Sequence, residues 1–154
     1  MVVWPEREVV FKTIAENRRA RHEYQITQTI EAGIVLTGTE VKSLRDGKVQ
    51  LSDGYAHMSD GELWLENVHI GLYKQGNMFN HLEKQRRKLL IHKKELEKLA
   101  DKLKDQGATL VPLKLYFKGN KVKALIGLAR GKKIHDKRAS IKERDVKREM
   151  ARQE

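Results

Sequence analysis

Apolar residues alternate with period two over much of the chain, and in three places the spacing changes to that of a helix. The clearest run comes late. Val111, Leu113, Leu115 and Phe117 alternate in phase, as do Val122, Ala124, Ile126 and Leu128, and Gly119-Asn120 between them suits a two-residue hairpin loop. Val49–Met58 and Glu62–Ile70 read as another strand pair, joined by the turn signal Ser59-Asp60-Gly61. Tyr24–Ile30 is rich in β-branched and aromatic residues and reads as a strand. Gly33–Thr37 is its continuation or partner, with Gly33 marking a bulge or bend.

Helical spacing is shorter-lived. Asn17 is placed to cap one or two turns over Arg18–Tyr24, which would splay Arg18, Arg19 and Arg21 over different sides. Gly38–Gly47 reads as a short helix with Thr39 as cap, Val41 and Leu44 facing inward and Gly47 as its stop. From His92 to Lys104, Leu96, Leu99, Ala100 and Leu103 fall on one stripe, and Gly107 ends it. Residues 71–88 read as a polar loop with Arg86-Arg87-Lys88 at its end.

About six short antiparallel strands with two or three flanking helices predict a mainly β fold, a small closed barrel of OB type. Such barrels often bind RNA or single-stranded DNA. The expected division is a loosely ordered segment 1–16 with a short extended piece at Val9–Ile14, a barrel over 17–130, and a tail 131–154. Beyond Arg130 only Ile134, Ile141, Val146 and Met150 are sizeable apolar groups, so the tail is expected to be disordered alone and to order on a partner.

Charge sharpens this division. The chain has 154 residues, 32 Lys+Arg and 21 Asp+Glu, a formal net charge of +11. Residues 118–154 hold 13 Lys+Arg and 5 Asp+Glu, leaving +8, while the preceding 117 residues are close to balanced at +3. A concentrated excess of this kind points to a polyanion, because neutralised phosphates release condensed counterions. A membrane surface would ask for Trp, Phe or Leu beside the cations. From Gly131 to Glu154 there is none, so nucleic acid is the expected partner. No apolar run approaches the roughly 20 residues of a bilayer span, and Glu6, Arg7 and Glu8 break any secretory h-region, so a cytoplasmic protein is expected.

Catalytic chemistry finds little support. The chain has no cysteine, which excludes a disulfide scaffold, a thiolate metal site and a thiol nucleophile. Its six histidines are scattered, its serines lack a nucleophile elbow, and its glycines form no phosphate loop. No enzyme activity, cofactor or metal is expected. Basic residues interleaved with aromatics are the stronger signal: Arg18, Arg19 and Arg21 precede Tyr24, Tyr55 falls on a strand, and Tyr73 on the loop. The plainer alternatives stay open at this level: Tyr24 and Tyr55 as half-buried strand residues, Trp64 as core, and Arg86-Arg87-Lys88 as a solvated helix face. Glu31 either accepts donors from RNA or pairs with an arginine.

Four segments carry a resemblance. Asn17–Tyr24, Glu31–Arg45, Arg87–Lys93 and Gly127–Lys133 occur in the order found in the SsrA-binding protein (small protein B) family, and the similarity runs from about residue 12 to residue 148. The resemblance implies an OB-type barrel that binds the tRNA-like domain of transfer-messenger RNA. It implies delivery of that RNA to the A site of stalled ribosomes for trans-translation, carried by elongation factor Tu. By residue, it implies RNA contacts at Asn17, Arg18, Arg19, Arg21, Tyr24, Glu31 and Tyr55, with Leu90 in support. It implies ribosomal contacts at Gly131, Lys132, Lys133, His135, Asp136, Lys137 and Arg138, in the decoding centre and along the mRNA path. The alternatives are a general OB-type RNA chaperone without that specificity and an RNA-processing enzyme. Two departures stand out: Asn80-His81 is not followed by the family's usual Asp-Pro, and only 16 residues follow Arg138.

Overall fold

A computed structural model describes residues 11–105 and 107–131. The expected tail, apart from Gly131, lies outside the described residues. In chain order the elements are β1 (Phe11–Glu16), α1 (Arg18–Glu23), β2 (Tyr24–Ile34), α2 (Gly38–Arg45), β3 (Val49–Gln50), β4 (Tyr55–Ser59), β5 (Glu62–Glu66) and β6 (His69–Ile70). A 3-10 turn (Lys74–Phe79) leads to β7 (Arg87–Leu90), α3 (Lys93–Lys102), β8 (Ala108–Lys118) and β9 (Lys121–Gly131). The fold is mainly β with three short α-helices.

All pairings are antiparallel. They run β8–β4–β5–β7–β2–β9, and β9 pairs again with β8; β1 lies outside β8, and β3 pairs with β6 as a separate ribbon. Inside this run Leu63, Leu65, Leu110, Leu115, Ala124 and Ile126 are buried, and Leu44 of α2 and Leu99 of α3 join the same cluster. A second, smaller cluster joins Ala20 of α1 to Val111, Leu113 and Ala129, seating α1 on the sheet.

Several expectations need correcting. Val49–Met58 is not one strand: it splits into β3 and β4 at a turn whose Gly54 N–H donates to the Leu51 carbonyl at 2.9 Å. Gly54 permits the close approach there, since a Cβ would lie 2.6 Å from Val68 Cγ2 and 2.9 Å from Pro112 Cγ. Glu62–Ile70 likewise splits into β5 and β6, with Asn67 at φ 59°. Val111, Leu113, Leu115 and Phe117 do not share one face. The β8–β9 register shifts between Pro112 and Lys114, which sends Val111 and Leu113 to the small cluster and Leu115 and Phe117 to the large one. In β2 the irregularity lies between Ile26 and Gln28, not at Gly33, which pairs in register with Leu90.

The cap of α2 is Thr37, not Thr39. Thr37 Oγ1 accepts from the Glu40 N–H while Glu40 Oε1 accepts from the Thr37 N–H at 2.9 Å, a complete capping box. The polar stretch 71–88 contains the 3-10 turn and the start of β7, whose Arg87 is buried. Arg87 is therefore no part of a solvated helix face. Its guanidinium pairs with the buried Glu40 and donates to the carbonyls of Val68 (2.8 Å) and Glu83 (3.1 Å).

Candidate nucleic-acid interface

Asn17 builds the first surface. Its Oδ1 accepts from the Ala20 N–H at 3.0 Å, capping α1, and its Nδ2 donates to the carbonyls of Leu51 (3.2 Å) and Pro112 (2.8 Å). The residue is buried, so it acts as the bolt that fixes α1 against β8 and the β3–β4 turn. With Ala20 turned into the sheet, Arg18, Arg19 and Arg21 are all exposed. Arg19 is engaged by Glu23 (3.0 Å) and Asp53 (3.3 Å); Arg18 and Arg21 have no ion-pair partner among the described residues.

Beside α1 opens a cleft of about 420 Å³ lined by Arg19, Glu23, Tyr24, Asp53, Gly54 and Tyr55, among others. Tyr24 is half-buried at its wall and Tyr55 is 43% exposed. Tyr55 donates to Glu66 at 3.3 Å and stands 6.0 Å from the His57 ring, so its plane is held outward. The negative charge of Glu66, together with that hydrogen bond, raises the Tyr55 pKa and keeps the hydroxyl protonated. Two aromatic rings and the Arg19 guanidinium at this cleft, with Arg18 and Arg21 exposed on the same short helix, can stack bases and contact phosphates.

Glu31 and Leu90 do not belong to this cleft. They line a second one, of about 370 Å³, with Gly33, His92, Glu95 and Lys123. Tyr24 and Glu31 lie seven residues apart on the same strand, a span of about 23 Å. Glu31 accepts from the Tyr116 hydroxyl and from Lys118 Nζ at 3.1 Å, so its ion pair is with a lysine, not an arginine. The Tyr116 hydrogen bond is the main reason its carboxyl pKa is lowered, with Lys118 and Lys123 adding to the effect. Burial and the same carboxylate push the Tyr116 phenol up. Leu90 is 51% exposed and packs over Gly33, an apolar platform beside Lys123. Lys118, Lys123 and Tyr116 escaped sequence reading, although the alternation of their strands already set them opposite the core residues.

Trp64 is neither core nor open platform: it is half-buried, with the Arg86 guanidinium 3.7 Å from its ring centroid. Gly131 pairs with Tyr24 across β2–β9, so the tail is rooted at the rim of the first cleft. Lys132, Lys133, His135, Asp136, Lys137 and Arg138 lie outside the described residues. No group of His, Asp and Glu able to hold a metal ion occurs among the described residues, and no helix among them is long and apolar enough to cross a membrane.

Residues 14–154 match the family model described as SmpB protein. The SsrA-binding protein of Carboxydothermus hydrogenoformans is 58% identical over 139 residues, covering 90% of this chain and 93% of the relative. That of Ligilactobacillus salivarius is 54% identical over 139 residues, 90% of each chain. A chain from a solved structure of tmRNA–SmpB on its way to the centre of the bacterial ribosome is 55% identical, with a TM-score of 0.65, over 78% of this chain and 85% of the other.

Proposed function

The chain belongs to the SmpB protein family, and from that premise we propose that it is a non-enzymatic adaptor binding the tRNA-like domain of transfer-messenger RNA. It delivers that RNA to the A site of stalled ribosomes for trans-translation. The observation that carries this reading is the cleft at the start of β2, lined by Arg19, Tyr24 and Tyr55 on a frame bolted by Asn17, with Arg18 and Arg21 exposed on the adjoining helix α1. The likeness to a tmRNA–SmpB chain at 55% identity supports the choice of RNA.

The ring of strand pairings reads as the OB-type barrel, with β2 as its recognition strand. Arg18, Arg19 and Arg21 supply cations for phosphates, Tyr24 and Tyr55 supply stacking faces, and Glu31 with Leu90 forms a second contact on the same RNA. Asn17 is a positioning residue. Gly131, Lys132, Lys133, His135, Asp136, Lys137 and Arg138 serve the ribosome, in the decoding centre and the vacant mRNA path. Elongation factor Tu joins through the RNA complex, in the cytoplasm.

A gel-shift competition tests this. The tRNA-like domain should displace unrelated structured RNA at matched salt. Equal affinity for both would leave a general RNA chaperone as the function.

A further inference from the structure

Trp64 stands half-buried on the outward face of β5, with the Arg86 guanidinium 3.7 Å from its ring centroid, a separation that suits a cation lying flat on the indole. Arg86 is exposed, so the side of its plane turned away from Trp64 is open to solvent. It has no ion-pair partner among the described residues, and the two acids of β5 are engaged elsewhere. Glu62 takes Lys88 at 2.8 Å, while Glu66 accepts from the Tyr55 hydroxyl at 3.3 Å and lies 2.6 Å from His57 Nε2. A free arginine side chain samples many rotamers; this one is held in one plane by a ring. Part of the entropy that a ligand would have to remove is therefore already gone before it arrives.

The stack adjoins the first cleft without belonging to it. Tyr55 pairs with Glu66 and His57 with Trp64, so all four side chains share the outward face of β4 and β5. The Tyr55 and His57 ring centroids are 6.0 Å apart, and Tyr55 is 43% exposed. Trp64 is the diagonal neighbour of Tyr55, a step of about 7–8 Å, within reach of the next nucleotide on a strand whose base lies on Tyr55. Neither Trp64 nor Arg86 lines either of the two clefts on β2. Charge alone does not account for an arginine here. A lysine would meet a phosphate or a carboxylate as well, but only a guanidinium offers a planar face to a base. A planar cation backed by an indole, beside an exposed tyrosine, suits unpaired nucleic acid better than an acidic peptide.

We propose that Arg86, laid flat on Trp64, is a base-stacking platform that takes an unpaired nucleotide of the tRNA-like domain beside the one on Tyr55. The choice of this RNA rests on the proposed function. Trp64 is a positioning residue: it holds the guanidinium plane and leaves the outer side of that plane for the base.

The test measures affinity of the full chain for the tRNA-like domain, and for unrelated structured RNA, over a salt series. Arg86→Ala should weaken binding to the tRNA-like domain about tenfold, the scale of one stacked base. Arg86→Lys keeps the charge but not the plane, and should recover no more than about twofold of that loss. The gap should persist as salt rises, whereas a phosphate contact would yield to counterions. Trp64→Phe keeps a ring beneath the guanidinium and should stay within about twofold of wild type. Trp64→Leu should lose as much as Arg86→Ala, and the double variant no more than either alone. Thermal unfolding of the Arg86 variants should match wild type, because that side chain is exposed; these two variants decide the question if Trp64→Leu unfolds. The proposal is overturned if Arg86→Ala binds like wild type, which would leave the arginine as a cover for the indole. It is equally overturned if Arg86→Lys restores full affinity, which would make the contact one of charge. Failure of the proposed function would show separately, as wild-type protein with no preference for the tRNA-like domain.

Discussion

Glu40 and Arg87 stand 47 residues apart in the chain and meet as an ion pair in which each side chain is 1% exposed. The pair joins the capping box of α2 to the first residue of β7, and through the carbonyls of Val68 and Glu83 it also holds the residue before β6 and the segment leading into β7. One guanidinium thereby organises the frame that supports the Gly33–Leu90 platform.

Removing one partner leaves a buried charge without compensation. Arg87→Met should destabilise the protein by about 3–5 kcal/mol, read as a lower urea midpoint. Pairing it with Glu40→Leu should recover part of the loss, because the orphaned carboxylate is then gone.

Burial pushes the Glu40 carboxyl up, yet the Thr37 N–H and the Arg87 guanidinium hold its pKa below the ordinary 4.5. Such a group contributes stability above its unfolded-state pKa and loses it as pH falls through the folded value. Unfolding free energy should therefore decline as pH drops below 4.5, with Glu31, also lowered, adding to the decline. Glu40→Gln should show a shallower slope over that window in pH-dependent urea titrations.

Gly54→Ala places a methyl against Val68 and Pro112, both fixed in the core. It should cost about 1–3 kcal/mol and weaken binding of the tRNA-like domain, because Gly54 lines the cleft beside Tyr55. Gly61→Ala, at φ 75° with nothing within 4 Å, should cost stability while sparing the cleft. Equal RNA affinity for the two variants would refute the link between this turn and the cleft.

Asn17→Ala deletes a cap worth about 1 kcal/mol and orphans two carbonyls. RNA affinity should fall although the side chain itself is buried. Asn17→Asp should not rescue it, since a carboxylate would face those carbonyl oxygens; Tm and gel shift together separate positioning from direct contact.

Deleting residues 132–154 removes half of the local +8 excess. Binding to the tRNA-like domain should stay within a few-fold while rescue of stalled ribosomes in a translation assay is lost. Loss of tight RNA binding would make the tail the RNA anchor instead.

Hairpins with unbroken alternation, such as Val122 to Leu128, were legible because each residue alone declares its face. β7 was not, because Arg87 looks like a loop residue until a carboxylate 47 positions away is found to face it. The phase change at Leu113 hid behind residues apolar on both sides of the bulge. The cap of α2 was within reach: Thr37 has Glu40 at the capping-box spacing, whereas Thr39 has Lys42 there. Candidate contacts before Tyr24 were legible from basic-aromatic clustering, but not that Asn17 would be buried, nor that Glu31 would lie at the far end of β2.

That 11-residue strand carries both proposed RNA contacts, Tyr24 at its start and Glu31 towards its other end, and is hydrogen-bonded to β9 along nearly its whole length. It works as a caliper with locked jaws. The spacing between the two proposed contacts is preset by a sheet, so on that proposal little conformational entropy is lost by the protein on association, and whatever adjustment the fit requires falls on the RNA. An RNA whose two contacted segments sit at another spacing is then rejected by distance alone, with no change in the bases presented.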